Sequence, residues 1–359
     1  MYFQTKKLIN KFKKKISSHS GCCEQKHKNE RDDQKSIISD YLGQRKVLLE
    51  KEGSKFHFPR NPQYSWERFP LYKNSLFPDL KNFAWLDGDH VDEKFIRSRL
   101  GEGKSDKDVE ICRKFSEQGY VIIEGLFSPE LLDGIWTELE RAVEREEVWN
   151  TEGEFLESDE FSLYAKGRIL NIHKLVPAFN ECFRHEKLIR ILEMLLGKEV
   201  LPFQTINSFY GSEQAAHSDA VHMTTFPLGF MIAAWVAFED LDDECGPLIF
   251  YPGSHKLEYK MSESISEDLH FENHAYEEFI KEHIKKNDLQ PAYFAPCKKG
   301  DLLIWHHNLI HGGSEINDKK KTRKSLVSHY FAKDVIAYHE VTGRKLENYD
   351  PYEVVAQKK

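Results

Sequence analysis

The sequence predicts a mainly β domain with flanking helices, an α+β chain built around an antiparallel barrel or jelly roll. Strand-like apolar segments alternate with turn residues from about 200 to 335, with few helical stretches among them. A helix, strand, helix entry and one further helix stand before that region, so helices flank the strands and do not alternate with them. The 359 residues, 40% hydrophobic and 13% aromatic, supply a core for one large domain with extensions.

The elements follow in chain order. Residues 1–20 are basic (Lys6, Lys7, Lys11, Lys13, Lys14, Lys15), with Phe3, Leu8, Ile9, Phe12 and Ile16 near helical spacing. A solvated, frayed helix is the favoured reading. Membrane-surface contact is the second, because a surface anchor usually needs more apolar area or a lipid. Polar residues 17–35 read as a linker, so 1–55 form an extension. Residues 56–105 open with dense aromatics from Phe56 to Trp85, but Pro59, Pro62, Pro70 and Pro78 forbid a continuous helix or central strand. An irregular segment packed on the core is expected, with an aromatic arm touching substrate as the alternative.

The domain proper is expected over 106–335, with 336–359 as a tail. Residues 106–117 read as a helix and 119–124 as a strand. Ser128 then caps a helix with Pro129 in first position and Leu131, Leu132, Ile135, Leu139 and Val143 on its apolar face. A helix over 185–196 stops at Gly197, and strands follow at 200–209, 229–238 and 248–251. The insert 257–290 places Tyr276, Phe279, Ile280 and Ile284 at helical spacing. One amphipathic helix over the mouth of the barrel is expected, either as a moving lid or as a fixed wall.

The formal charge of −8 argues against a nucleic-acid binder, whose affinity comes from many phosphate contacts, and leaves a small-molecule partner. The six cysteines (Cys22, Cys23, Cys112, Cys182, Cys245, Cys297) show no Cys-x-x-Cys spacing and no disulfide framework. Reduced thiols, no apolar run near the roughly 20 residues that span a bilayer, and no secretory leader lead to a cytoplasmic expectation.

Chemistry concentrates at His217-Ser218-Asp219. On an extended chain an imidazole and a carboxylate two residues apart point to one side and can grip one ion. The run Trp305-His306-His307-Asn308-Leu309-Ile310-His311-Gly312-Gly313 offers the further histidine, with His306, His307 and His311 as candidates. Two histidines and one carboxylate cap one face of a six-coordinate metal and leave the other positions open, the donor set of non-haem Fe(II) oxygenases. Gly246-Pro247 and Pro252-Gly253 read as turns. His222 and His255 have no partner that the sequence names, although His222 is near enough to the motif to reach substrate.

Four pieces in order then carry a resemblance: His217-Ser218-Asp219; Gly246-Pro247-Leu248 leading to Pro252-Gly253-Ser254-His255; Gly300-Asp301 running to His311; and Arg323-Lys324-Ser325 before His329-Tyr330-Phe331. With these the chain resembles the phytanoyl-CoA dioxygenase family of Fe(II)/2-oxoglutarate oxygenases over residues 106–335. The resemblance implies a double-stranded β-helix, Fe(II), 2-oxoglutarate and O2, and a hydroxylated product with succinate and CO2.

It also implies site residues. His217, Asp219 and His311 would be metal ligands and the catalytic centre, since His311 follows the Gly-Asp pair at the family spacing and a small residue, Gly312, comes next. His306 then becomes a packing residue and His307 a solvent-facing one. Arg323 would hold the distal carboxylate of 2-oxoglutarate through a forked contact that Lys324 cannot make. Strand parity puts Arg323 on one face with Ser325, Val327 and His329, and Lys324 on the other. Trp235 would flank the cosubstrate. Gln204 and Asn207, polar in an apolar strand, are candidates for a ligand contact or a buried hydrogen bond. The chain departs from the family at Gly313, where a serine often touches the cosubstrate carboxylate. Asp219 in the carboxylate position favours hydroxylation over halogenation. The rivals are a metal-dependent hydrolase on the same ligands and a non-catalytic barrel acting as a binding protein.

Overall fold

Pairing in the computed structural model is antiparallel throughout, and a large sheet faces a small one. The structure describes residues 56–57, 69–70, 84–88, 90–148, 167–226, 228–257 and 273–339. The basic segment 1–20, the linker 17–35, most of the aromatic stretch, the first part of the insert and residues 340–359 lie outside the described residues. The chain divides into two units, Met1–Pro70 and Leu71–Lys359. In the first, β1 (Phe56–His57) pairs with β2 (Phe69–Pro70). All that follows concerns the second.

Local chemistry sets the helix ends. α1 (Glu93–Leu100) begins where the Asp92 carboxylate accepts from the Phe95 N–H at 2.7 Å, inside a stretch that its prolines had marked as irregular. Those prolines all lie upstream of it. α2 (Asp106–Gln118) opens on a reciprocal capping box between Ser105 and Asp108. After β3 (Tyr120–Ile123), Ser128 caps α3 (Pro129–Glu144), whose Leu132, Ile135, Leu139 and Val143 are buried. β4 (Arg168–Leu170), two single helical turns and α4 (Glu186–Leu196) lead into the strands. The Trp85 indole N–H donates to the Met194 carbonyl on α4 at 3.1 Å, so this part of the aromatic segment packs on the domain.

The strands are β5 (Val200–Ser208), β6 (Met223–Phe226), β7 (Met231–Ala237) and β8 (Leu248–Phe250), then, after helix α5 (Asn273–Lys286), β9 (Ala292–Tyr293), β10 (Leu302–His306), β11 (His311–Gly313), β12 (Ser325–Ala332) and β13 (Ile336–His339). The large sheet runs β3-β10-β7-β12-β5-β4, the small one β11-β8-β9, and β6 pairs with β13. This is a jelly roll of facing sheets. Among the described residues no strand pairing closes it into a barrel. Pairing also runs past residue 335, because β13 lies against β6.

Both faces of the large sheet are covered, which is why β7 is buried at every position and reads as one apolar run. Alternate residues serve different cores. Ile232, Ala234, Val236, Leu302 and Ile304 join the core that holds the helices, while Ala233, Trp235, Leu303 and Trp305 meet Leu248 and Phe250 between the sheets. Each fully buried Ile, Val, Leu or Phe side chain among these contributes about 1.5–3 kcal/mol.

The Gly300-Asp301 pair anchors the turn into β10. Gly300 has φ +91°, and a Cβ there would stand 2.2 Å from the Phe127 carbonyl oxygen. The Asp301 carboxylate accepts from the N–H groups of Gly125 at 2.9 Å and Lys298 at 2.8 Å. The Gly300-Asp301 pair is thus a folding feature, fixing the turn that opens β10 against the Gly125–Phe127 segment.

Candidate metal centre

His217 and His311 are neighbours because their backbones pair. An isolated antiparallel bridge joins them, with His217 N–H to His311 O at 2.8 Å and His311 N–H to His217 O at 2.9 Å. Directly opposed residues in such a pair project to the same side, and the two ring centroids are 4.5 Å apart. Asp219 then starts a 3-10 turn, capped by Ser218, whose hydroxyl accepts from the Ala220 N–H at 3.3 Å. The Ala220 N–H also reaches the His307 carbonyl, at 3.1 Å, so the turn is tied to the loop before β11.

Each imidazole is fixed by the carbonyl two residues before it: His217 Nδ1 lies 2.9 Å from Ala215 O, and His311 Nδ1 lies 2.9 Å from Leu309 O. A carbonyl only accepts, so both Nδ1 atoms carry the proton and both Nε2 atoms are acceptors; that of His217 faces the Gln214 amide nitrogen at 3.3 Å. Both Nε2 atoms face Asp219 Oδ1, at 3.8 Å from His217 and 3.6 Å from His311. The other carboxylate oxygen is held from behind. Trp305 Nε1–H donates to Asp219 Oδ2 at 2.9 Å, and His329 Nε2 stands 3.8 Å from the same atom. One oxygen is tethered and the other is turned toward the histidines.

Electrostatics agree with that division. Burial pushes His217 down to about 3, with His311 adding to the effect. Burial alone would raise the Asp219 carboxyl, but the imidazoles of His311 and His329 hold it well below the usual carboxylate range. Neutral His217 beside ionised Asp219 is the state a divalent cation requires of these two groups. The ligand atoms of His217, Asp219 and His311 lie within 4.8 Å of one another.

The other candidate histidines are occupied. His306 is buried, with Nε2 3.3 Å from Asp87 Oδ2 and Nδ1 accepting from the Asn308 N–H at 3.1 Å. His307, expected to face solvent, is only 1% exposed; its carbonyl accepts from the Ala220 N–H at 3.1 Å, and the residues after it, Leu309 and Ile310, are buried in apolar clusters. His255 is buried and its Nε2 lies 3.1 Å from the Ser116 carbonyl. His222 follows Asp219 by one short turn and does not line the cleft.

That cleft encloses about 510 Å³, part of it open solvent, and runs from the His217-Asp219-His311 cluster between the sheets. Trp235, Leu248, Trp305 and Val327 form its apolar wall. Arg323 reaches it 3% exposed. Its Nη1–H donates to the Gly246 carbonyl at 2.8 Å, its Nε has no partner, and among the described residues it makes no ion pair. Burial pulls the guanidinium down to about 10. Lys324 points the other way, with Nζ 5.0 Å over the Trp136 ring, as strand parity requires.

Two of the polar candidates are not brought into the cleft. Asn207 shares the helix-side face of β5 with Thr205, and its amide donates to the Ser325 carbonyl at 3.0 Å. Gln204 lies one step beyond Ile206 and Ser208, the β5 residues that line the cleft. Sequence reading missed Arg168, Ser212, Gln214 and Trp305. Arg168 Nη2–H donates to Gln214 Oε1 at 3.3 Å, and Gln214 Nε2 lies 3.3 Å from His217 Nε2. Ser212 answers the departure at Gly313: a Cβ on Gly313 would fall 2.5 Å from the Ser212 hydroxyl, which lines the same cleft. Gly312 is equally constrained, since a Cβ there would meet Gln214 O at 2.6 Å. Only the pattern of polar residues between β5 and His217 pointed to this chain segment.

The family model described as Phytanoyl-CoA dioxygenase (PhyH) matches residues 115–325. Phytanoyl-CoA dioxygenase domain-containing protein 1 of Danio rerio is 26% identical in an alignment 258 positions long that covers 58% of this chain and 83% of that protein. The peroxisomal phytanoyl-CoA dioxygenase of Bos taurus is 23% identical in an alignment 259 positions long that covers 66% of this chain and 72% of the other. Among solved structures, EctD from S. alaskensis with 2-oxoglutarate and 5-hydroxyectoine has a TM-score of 0.48 at 19% identity, covering 64% of this chain and 76% of its own. The non-heme alpha ketoglutarate dependent carbocyclase SnoK from nogalamycin biosynthesis has a TM-score of 0.48 at 18% identity, covering 66% and 87%.

Proposed function

The chain belongs to the phytanoyl-CoA dioxygenase family of Fe(II)/2-oxoglutarate oxygenases, and on that premise we propose that it hydroxylates a small organic substrate in the cleft, with succinate and carbon dioxide as co-products. The observation that carries the reading is the His217-Asp219-His311 cluster, whose ligand atoms lie within 4.8 Å of one another. Two imidazole nitrogens and one ionised carboxylate suit Fe(II) and would leave its other positions for cosubstrate and oxygen. The partnerless Nε of buried Arg323 suits the distal carboxylate of 2-oxoglutarate, because a buried guanidinium without an anion is costly and a forked contact offsets that cost. Iron and 2-oxoglutarate, when bound, supply the activation of dioxygen.

The side chains have distinct tasks. Asp219 brings one negative charge and is kept from turning by Trp305. Arg323 orients the cosubstrate, and the Ser212 hydroxyl serves in the place where Gly313 has no side chain to offer. Arg168 sets a second cation on the same cleft, which lowers the cost of enclosing a dianion. Trp235, Leu248 and Val327 keep water from the reacting end of the cleft. Asp219 in the ligand position goes with hydroxylation and leaves no room for a halide. We place the protein in the cytoplasm on its cysteine usage: Cys112, Cys182, Cys245 and Cys297 are buried and free. No helix among the described residues is long and apolar enough to cross a membrane.

Succinate formation from 2-oxoglutarate with added Fe(II) tests the reading. The wild-type chain forms succinate, and His217→Ala, Asp219→Ala and His311→Ala each abolish it while keeping the wild-type circular dichroism. A metal-dependent hydrolase or a binding protein forms none. Near-normal turnover in any one of the three variants overturns the ligand set.

A further inference from the structure

Helix α5, in the insert between β8 and β9, contributes no residue to the cleft. It stands behind the metal ligands. Tyr276 and Ile280 are 4% and 3% exposed and pack in one cluster with Val221 and Ile310, to which Ala216, Phe279 and Ile284 add. Each ligand has a chain neighbour in that cluster: Ala216 precedes His217, Val221 follows Asp219 by two residues, and Ile310 precedes His311.

One polar contact crosses this apolar seam. The backbone N–H of Ser218, the residue between His217 and Asp219, donates to the Tyr276 hydroxyl oxygen at 3.0 Å. The bridge explains why the contact is there. His217 spends both its N–H and its C=O on His311, so the next N–H along the extended chain points to the opposite side, toward α5. Ser218 is 8% exposed, and its N–H would be buried without an acceptor if the phenol were absent. Its hydroxyl lies 3.1 Å from the His307 carbonyl and 3.2 Å from Asn308 Oδ1, so the whole residue is fixed between α5 and the approach to His311.

We infer that Tyr276 is a positioning residue for the metal centre: its hydroxyl holds the Ser218 amide and thereby sets the separation and aim of His217 and Asp219 through this one hydrogen bond. The inference rests on the metal site proposed above. Burial of the phenol keeps it protonated, so it remains a neutral acceptor beside the anionic centre. Tyr276→Phe removes one oxygen and leaves the ring that fills the seam. The Ser218 N–H then has to find another acceptor, and the two ligands that flank it shift with it.

The test is Co(II) titration of the metal-free, full-length chain, read by calorimetry and by the ligand-field absorption of the bound ion. Outer partners of ligands are commonly worth roughly 10–100-fold in metal affinity, and Tyr276→Phe is expected in that range, with an apo melting temperature lowered by a few degrees because the Ser218 N–H loses its acceptor. Its Co(II) spectrum should differ from wild type. Ile280→Ala removes packing from the same seam and keeps the hydroxyl, so it should lower the apo melting temperature and leave Co(II) affinity unchanged. Wild-type affinity in Tyr276→Phe, or equal losses in the two variants, overturns the inference. Hydrogen exchange of the Ser218 amide in the metal-free wild-type chain gives a readout that needs no variant. Protection supports the contact, and exchange at the rate of an open loop overturns it. A wild-type chain that binds no Co(II) overturns the metal-site reading together with this one, whereas equal binding by wild type and Tyr276→Phe overturns this one alone.

Discussion

Trp305→Phe removes a single N–H donor from Asp219 and keeps an aromatic ring between the sheets. In the wild type that N–H lies 2.9 Å from Asp219 Oδ2, and the two residues are 2% and 6% exposed. A hydrogen bond to a charged group contributes about 1.5–3 kcal/mol, and about 1.4 kcal/mol is tenfold in an equilibrium constant. The upper limit is therefore roughly a hundredfold loss of divalent-metal affinity, reached if the whole bond serves to aim Oδ1. The lower limit is roughly tenfold, because the variant leaves Oδ2 with His329 Nε2 at 3.8 Å and the carboxylate is free to turn. Trp235→Phe is the control: the residue is 1% exposed in the same inter-sheet core and makes a T-shaped contact with Phe294, so it shares the loss of volume without the loss of the donor. Co(II) titration of both metal-free proteins without 2-oxoglutarate separates the two effects. Trp305→Phe binding as tightly as wild type, or Trp235→Phe losing as much, refutes the claim that Trp305 orients the ligand.

The cosubstrate pocket and the buried imidazoles give further expectations. Arg323→Lys turns a forked contact into a single one, and the apparent KM for 2-oxoglutarate should rise by about tenfold or more; an unchanged KM sinks the assignment. Ser212→Ala should raise the same constant less, by roughly 2- to 10-fold for a neutral hydrogen bond, and leave Co(II) affinity alone. His173 is pushed down to about 3, chiefly by burial. Its folded value lies below the unfolded one, so the unfolded state binds the extra proton and stability is lost as pH falls from about 6.5 toward 3. Between pH 7 and pH 5 that amounts to about 2 kcal/mol from this residue. Denaturant melts of the metal-free chain should show the loss, and His173→Gln should remove about that much of the slope; parallel pH curves for the two proteins contradict it.

Local chemistry was enough for much of the architecture. Caps at Ser105 and Ser128 and stops at Gly119 and Gly197 delimit helices because they satisfy or end backbone hydrogen bonds within a few residues. The helix in the insert was legible from the spacing of Tyr276, Phe279, Ile280 and Ile284, four residues that share one seam. Its location was not, since a periodic stripe says that a face is buried and nothing about what buries it. The same limit applies to Asn207. Alternation along β5 puts it opposite Ile206 and Ser208, and only the covering of both faces of the large sheet decides which set meets the cleft and which meets the helices.

By itself the sequence determined that His217 and Asp219 lie within reach of one ion and that Arg323 and Lys324 face opposite ways, since both follow from two-residue periodicity on a short length of chain. The tertiary structure supplied the physical reason that His311 joins them, where the sequence had only the spacing implied by resemblance. The bridge to His217 carries His311 into the cluster, while the contact with Asp87 holds His306 elsewhere. It alone set the Trp305 indole behind Asp219, the Ser212 hydroxyl beside the empty side of Gly313 and the Tyr276 phenol under Ser218. Each of those contacts joins residues from 58 to 101 positions apart, and pairing across such distances is set by which strands and helices pack together, which no local pattern records.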